Sequence, residues 1–246
     1  MLLVNRVSNN EREPLPVNSV EKHFFMSYRK ITAAHEAGSR ARDLCILREE
    51  LAQLILRRHH ACHAGIGQLS DHAGGRTRAE TLYLAAIAKG ECIMAFALTE
   101  PEAGSDVSCL TTRAVCHDGA FRFTGTKHFV SNAGIADNYL VFSSTNPELR
   151  GKGISAFIVN PMLSRLIIKE ESTLLSPHPI GMIYFEDCIV PESHLIGGEG
   201  HGLQLGFQTL DLLRCTVGAA ALGFAQRALD EAICTASSDI SAVGYR

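Results

Sequence analysis

The sequence predicts an α+β fold: a partial N-terminal helical region, a middle antiparallel β-barrel or sandwich, and the start of a C-terminal helical bundle. Three observations predict it. Apolar residues recur at helical spacing over 41–56. From Cys92 to Glu192, short apolar or alternating runs are separated by turn residues. After a glycine cluster at 197–202 the period returns to that of a helix. The chain has 246 residues, 46% of them hydrophobic, which is enough to bury a core. A formal net charge of −3 lacks the basic excess expected of a nucleic-acid-binding domain. No run of about 18 apolar residues is present, so no membrane span is expected. Arg6, Glu11, Arg12 and Glu13 without an apolar stretch argue against a secretory signal, and the acidic residues weigh against a transit peptide.

The elements follow in order. Residues 1–40 mix polar residues with two prolines and show no clear period; they read as a poorly matched lead-in. Residues 41–91 read as a partial N-terminal helical domain. Within it, ARDLCILREELAQLIL (41–56) places Leu44, Leu47, Leu51, Leu54 and Ile55 at helical spacing. Residues 57–80 are rich in His, Arg and Gly. His59, His60, Cys62 and His63 raise the question of a metal, but a structural zinc needs a second spaced pair and only His72 is near. A loop, or a locally degraded stretch of sequence, is expected there rather than a metal site. The eight cysteines, at 45, 62, 92, 109, 116, 188, 215 and 234, form no CxxC pair, and read as buried free thiols of a reducing compartment.

Residues 92–198 read as the middle β-domain. The strand-like runs are CIMAFAL, FRFTGTKHFV, NYLVFSST, ISAFIVN, RLIIKE and IGMIYFEDCIV. His117-Asp118-Gly119 lies between two such runs and suggests a hairpin, while Asn160-Pro161 and Pro177 mark loop ends. Residues 199–246 open with a long helix. Leu203, Phe207, Leu210, Val217, Ala221, Phe224 and Ala228 form one predicted stripe, and SSDISAVGYR after Ala232 reads as a tail.

Three stretches carry chemistry. AFALTEPEAGSD (95–106) begins as a strand and ends in Thr99, Pro101, Gly104 and Ser105. Its free N–H groups and hydroxyls suit a flat polar heterocycle or a phosphate, and equally an ordinary turn. In GTKHFVSNAG (125–134), Phe129 and Ser131 alternate with Val130, so an aromatic and a hydroxyl are expected on one strand face. They could line a ring, or belong to a half-buried strand. In DLLRCTVGAAALGFAQRALDEA (211–232), Arg214 lies on the apolar stripe, where it must snorkel, pair with Asp211 at i−3, or meet a ligand.

These three stretches, in this order, resemble the acyl-CoA dehydrogenases. AFALTEPEAGSD is similar to that family's signature. GTKHFVSNAGIADNYLVF resembles its second flavin strand, where Trp is common and Phe129 stands here. GISAFIVN and FEDCIVPESHLIGGEGHG resemble the rest of its middle domain, and the 211–232 stretch resembles its first C-terminal helix. The resemblance covers about residues 41–232.

The resemblance implies FAD, held by Phe96, Leu98, Thr99, Gly104 and Ser105 from the first stretch and by Phe129, Val130 and Ser131 from the second. Thr99 would hydrogen-bond the ring, Phe129 would pack beside it, and Ser131 would bond near its reactive nitrogen. Ser105, Asp211 and Arg214 would contact the acyl-CoA. It also implies the family reaction. A carboxylate base takes the α-proton of the acyl thioester, and the β-hydrogen leaves as hydride to the flavin. The product is a trans-2-enoyl-CoA, and the electrons pass to an electron-transferring flavoprotein. A homo-oligomer in the cytoplasm, or in the mitochondrial matrix of a eukaryote, is the family expectation.

After Ala232 the sequence leaves the family pattern. The usual catalytic carboxylate and an Arg-x-x-Phe-Gly stretch for a neighbouring subunit's FAD are not matched, so the base is unassigned. The expectation is a chain short of most of the C-terminal bundle. The alternative to an active enzyme is a remnant that binds flavin or acyl-CoA weakly or serves as an interaction module.

Overall fold

The computed structural model describes Cys45, Glu49 and residues 92–164, 166–170 and 179–242. Cys45 and Glu49 are helical. The rest of the helix expected at 41–56, the lead-in, the 57–80 stretch and Pro177 lie outside the described residues.

Among the described residues eight strands form: β1 (Met94–Ala97), β2 (Arg113–His117), β3 (Ala120–Ser131), β4 (Asn138–Ser144), β5 (Ile154–Val159), β6 (Ile167–Glu170), β7 (Ile180–Pro191) and β8 (Leu195–Ile196). Six of them fall in the strand-like runs, whereas β2 and the two-residue β8 lie outside those runs. The hairpin between β2 and β3 closes at His117 opposite Ala120. Its two turn residues have positive φ, 50° at Asp118 and 75° at Gly119. That is the turn whose twist matches the flanking strands, and Asp-Gly is a favoured pair for it.

The sheet order is β6-β7-β3-β2-β4-β5-β8, with β1 also paired to β4. The sheet is mixed rather than wholly antiparallel, because β1 and β2 both run parallel to β4. It is also open, since β6 and β8 end the order without pairing each other. β2 meets β4 at a single pair, Arg113 with Ser144, and the sheet folds over there. Phe121 and Phe123 of β3 thereby reach Phe157 of β5, with ring centroids 4.8 and 4.9 Å away, although the two strands are not neighbours. This sandwich-like core also holds Tyr139, Val141, Ile183, Phe185 and Val190. The opposite face of β4 and β5 carries Leu140, Phe142, Ile154, Ala156 and Ile158 into a second core. Covered on both faces, these two strands are buried at every position, which is why YLVF and AFIV run apolar without alternation.

The long helix Gly202–Ala242 closes the second core with Leu205. It differs from its sequence reading in two ways. It continues past Ala232 to Ala242, because 233–242 contain no glycine or proline to stop it. Its buried face is not the large-residue stripe. Gly202, Leu205, Gly206, Thr209, Thr216, Ala219 and Gly223 are buried, whereas Phe207 and Val217 are exposed. Small residues win that face because the helix comes very close: a Cβ at Gly202 would lie 2.5 Å from the carbonyl carbon of Ser155. No helix among the described residues is long and apolar enough to cross a membrane. Cys188 is the one described cysteine that is buried; Cys109, Cys116, Cys215 and Cys234 are exposed, contrary to the expectation of buried thiols.

Candidate functional site

The exit of β1 and the far end of β3 are bound together through consecutive residues. The backbone N–H of His128 donates to the Thr99 carbonyl at 2.8 Å. The Lys127 ammonium donates to the Leu98 carbonyl at 3.0 Å and to Glu100 Oε1 at 2.7 Å. The Glu100 carboxylate also accepts from the Thr111 N–H (2.6 Å), the Thr111 hydroxyl (2.7 Å) and the Thr112 N–H (3.1 Å). Both charged side chains are out of water, at 0% and 1% exposure. Desolvation pushes Lys127 down to about 8, with Glu100 opposing that shift. Burial alone would raise the Glu100 carboxyl, but Lys127 and the threonine donors outweigh it and hold it below its ordinary value. The segments meet closely. A Cβ at Gly125, whose φ is +144°, would stand 2.7 Å from the Thr112 Cα.

Directly after Lys127 the β3–β7 register slips, between Lys127 and Val130. Lys127 and Val130 are both buried although three residues apart, so a bulge has reversed the phase of the strand. Phe129 sits in the bulge with φ +52° and is 60% exposed. A left-handed backbone at a bulky residue costs about 1–2 kcal/mol, and such strain concentrates at functional positions. Its ring stacks on His128, centroid to centroid 3.8 Å. Just beyond, the Asn132 amide donates to the Met94 carbonyl at 3.2 Å, tying the end of β3 to the start of β1.

The other sequence-predicted residues distribute as follows. Thr99 is half-buried, and among the described residues its hydroxyl has no hydrogen-bond partner. Phe96 is half-buried, 4.9 Å from Phe142 between ring centroids. Leu98 and Val130 belong to the cores, so what they offer a ligand is main chain. Ser131 is half-buried, and the bulge replaces the simple alternation expected of Phe129, Val130 and Ser131. Gly104 and Ser105 are exposed, and a Cβ at Gly104 would meet no atom within 4 Å. Beside them, the Asp106 carboxylate accepts from the Ser108 hydroxyl (2.6 Å) and N–H (3.0 Å). Those bonds hold it below the usual carboxylate range. Arg214 pairs with Asp211 at 3.3 Å on the long helix, both about 70% exposed. Among the described residues no hydrogen bond or ion pair joins them to the β1–β3 edge.

A threonine hydroxyl without a partner among the described residues, an exposed strained aromatic one residue past the cross-link, and an open Gly-Ser loop together suit a planar heterocycle bearing polar edges. Residues 95–188 match the family model of the acyl-CoA dehydrogenase middle domain. Over 234 residues the chain is 34% identical to the short-chain specific acyl-CoA dehydrogenase of Clostridium acetobutylicum, covering 91% of this chain and 61% of that protein. The chain thus contains an acyl-CoA dehydrogenase middle domain over residues 95–188. It is 38% identical over 146 residues to the human mitochondrial short-chain specific acyl-CoA dehydrogenase, over 58% of this chain and 35% of that one. A solved glutaryl-coenzyme A dehydrogenase, in complex with glutaryl-CoA, aligns with a TM-score of 0.65 at 27% identity. That match covers 78% of this chain and 47% of the other. The chain therefore spans less than two thirds of the length of these relatives.

The span matched to the acyl-CoA dehydrogenase middle domain contains both the β1 exit and the bulge, whereas Asp211 and Arg214 lie beyond it. Sequence reasoning missed Glu100 and Lys127. A signal was present: in FRFTGTK, Lys127 falls in phase with Phe121 and Phe123, the inward positions, and a charge there must be paired.

Proposed function

We propose that this chain carries the flavin-binding part of an FAD-dependent acyl-CoA dehydrogenase. The reaction is α,β-dehydrogenation of an acyl-CoA thioester, which loses a proton from Cα and a hydride from Cβ to become trans-2-enoyl-CoA. The observation that carries this reading is the cross-linked edge, Thr99 held to His128 with Phe129 turned outward beside it. Phe96, Leu98, Thr99, Gly104 and Ser105 would hold one side of the FAD, and Phe129, Val130 and Ser131 the other. When bound, FAD would supply the hydride acceptor.

The chain's own contribution is orientation. Thr99 offers a hydroxyl with no competing partner among the described residues, and Phe129 offers an aromatic face. Ser105 would also face the acyl-CoA, and Asp211 and Arg214 would meet its CoA part. Residues 92–198 would be the flavin domain, 41–91 part of an N-terminal helical domain, and 199–246 the opening of a C-terminal one. An electron-transferring flavoprotein would be the acceptor, in a homo-oligomer located in the cytoplasm or, in a eukaryote, the mitochondrial matrix.

One observation favours a second reading, binding without turnover. Among the described residues the buried carboxylate is Glu100, and it is committed to Lys127, Thr111 and Thr112. A carboxylate held ionised and walled off from solvent is a poor general base for a bound thioester. Anaerobic addition of a straight-chain acyl-CoA to the FAD-loaded chain separates the readings. Loss of the long-wavelength flavin absorbance supports the dehydrogenase. An unchanged spectrum, with acyl-CoA bound, supports the second reading.

A further inference from the structure

We propose that the buried Glu100–Lys127 pair is the positioning device of the flavin edge, fixing the strand exit at Thr99 against the bulge that presents Phe129. This rests on the flavin-binding reading above. Three successive residues of the β1 exit are held by two successive residues of β3: Leu98 by the Lys127 ammonium, Thr99 by the His128 N–H, and Glu100 by the same ammonium. The other side of the carboxylate is anchored on the Thr111 and Thr112 N–H groups, at the approach to β2. Three chain segments thus converge on one ion pair, and the residue after the cross-link begins the bulge.

Stability alone is a weak reason for such a pair. Taking both charges out of water offsets much of their attraction, and apolar replacements of buried pairs are often neutral. What an apolar replacement cannot reproduce is the pair of ammonium hydrogen bonds, to the Leu98 carbonyl and to Glu100, that holds the β1 exit where the β3–β7 register slips. Lys127 is completely buried, so it acts through Thr99 and Phe129 and not by touching a substrate.

The test uses the full-length chain and two variants, Lys127→Met and the double variant E100Q/K127M. The double variant removes the orphan charge that could unfold the single one. Three readouts are taken: the urea midpoint, amide hydrogen exchange at His128, and FAD retention with the visible circular dichroism of any bound flavin. The expected result is a double variant close to the native midpoint in which the His128 amide exchanges about tenfold faster, while β3 amides near Phe123 stay protected. FAD retention then falls about tenfold, with an altered flavin spectrum. A folded double variant with native His128 exchange overturns the proposal, whether or not flavin binds. Faster exchange with unchanged retention and spectrum overturns it as well. If the native chain retains no FAD while the exchange difference is present, the cross-link role stands and the flavin-binding reading fails.

Discussion

Replacing Phe129 by glycine and by alanine gives opposite signs at this site and at an ordinary strand position. Both changes remove the same exposed ring, so the lost burial and the lost stacking on His128 cancel in the comparison. What remains is the backbone. At φ +52° an L-residue pays about 1–2 kcal/mol that glycine does not. Glycine in turn costs about 0.5–1 kcal/mol more than alanine in chain entropy. The difference leaves Phe129→Gly more stable than Phe129→Ala by roughly 0.5–1 kcal/mol. Val115, 59% exposed on β2 and without a positive φ, is the control. There the alanine variant should be the more stable by about 0.5–1 kcal/mol. Urea unfolding reads both. With m of about 1–3 kcal/mol/M, the inversion appears as midpoint differences of a few tenths molar in opposite directions. Alanine ahead of glycine at both positions would refute the strained-bulge account. The two Phe129 variants should also lose FAD retention while remaining folded.

Other expectations can be checked individually. Gly125→Ala should cost about 3 kcal/mol in urea unfolding, because its Cβ would press on the Thr112 main chain at a φ alanine avoids; a loss comparable to an ordinary strand Gly→Ala would contradict that contact. Glu100 has a folded pKa below its ordinary 4.5. Its stabilising contribution is therefore complete above pH 4.5 and is lost as pH falls through the folded value, since the unfolded chain takes up the proton first. Glu100→Gln should flatten the acid limb of the stability–pH curve below pH 4.5, and parallel limbs would argue against a stabilised carboxylate. Arg214→Ala should change stability by less than about 0.5 kcal/mol, since its pair with Asp211 is exposed, yet weaken CoA binding severalfold by calorimetry. Unaltered CoA binding would remove Arg214 from the proposed substrate site.

Local chemistry made much of this fold legible. Asp118-Gly119 fixes its hairpin because the turn needs positive φ at two positions, and the apolar stretches YLVF of β4 and AFIV of β5 announce strands covered on both faces. The order of the motifs around Thr99 and Phe129 was equally readable. The bulge was not: strict alternation puts Phe129 and Ser131 on one face, and only the long-range pairing with β7 reveals where the phase breaks. The helix misled for a related reason. Large residues at helical spacing suggested the buried face, but close approach to β5 at Gly202 and to Phe142 of β4 at Gly206 leaves room only for small residues there, a choice set by the neighbouring strands and invisible in the helix itself. The Glu100–Lys127 pair needed both kinds of information, the inward phase of Lys127 and a partner 27 residues away.

The most direct measurement is the visible absorbance spectrum of the purified chain after incubation with FAD and desalting. Retained, protein-bound flavin is the predicted result, and it should be lost in Phe129→Ala. A folded chain that emerges colourless would contradict the claim that the edge between Thr99 and Phe129 is a flavin site.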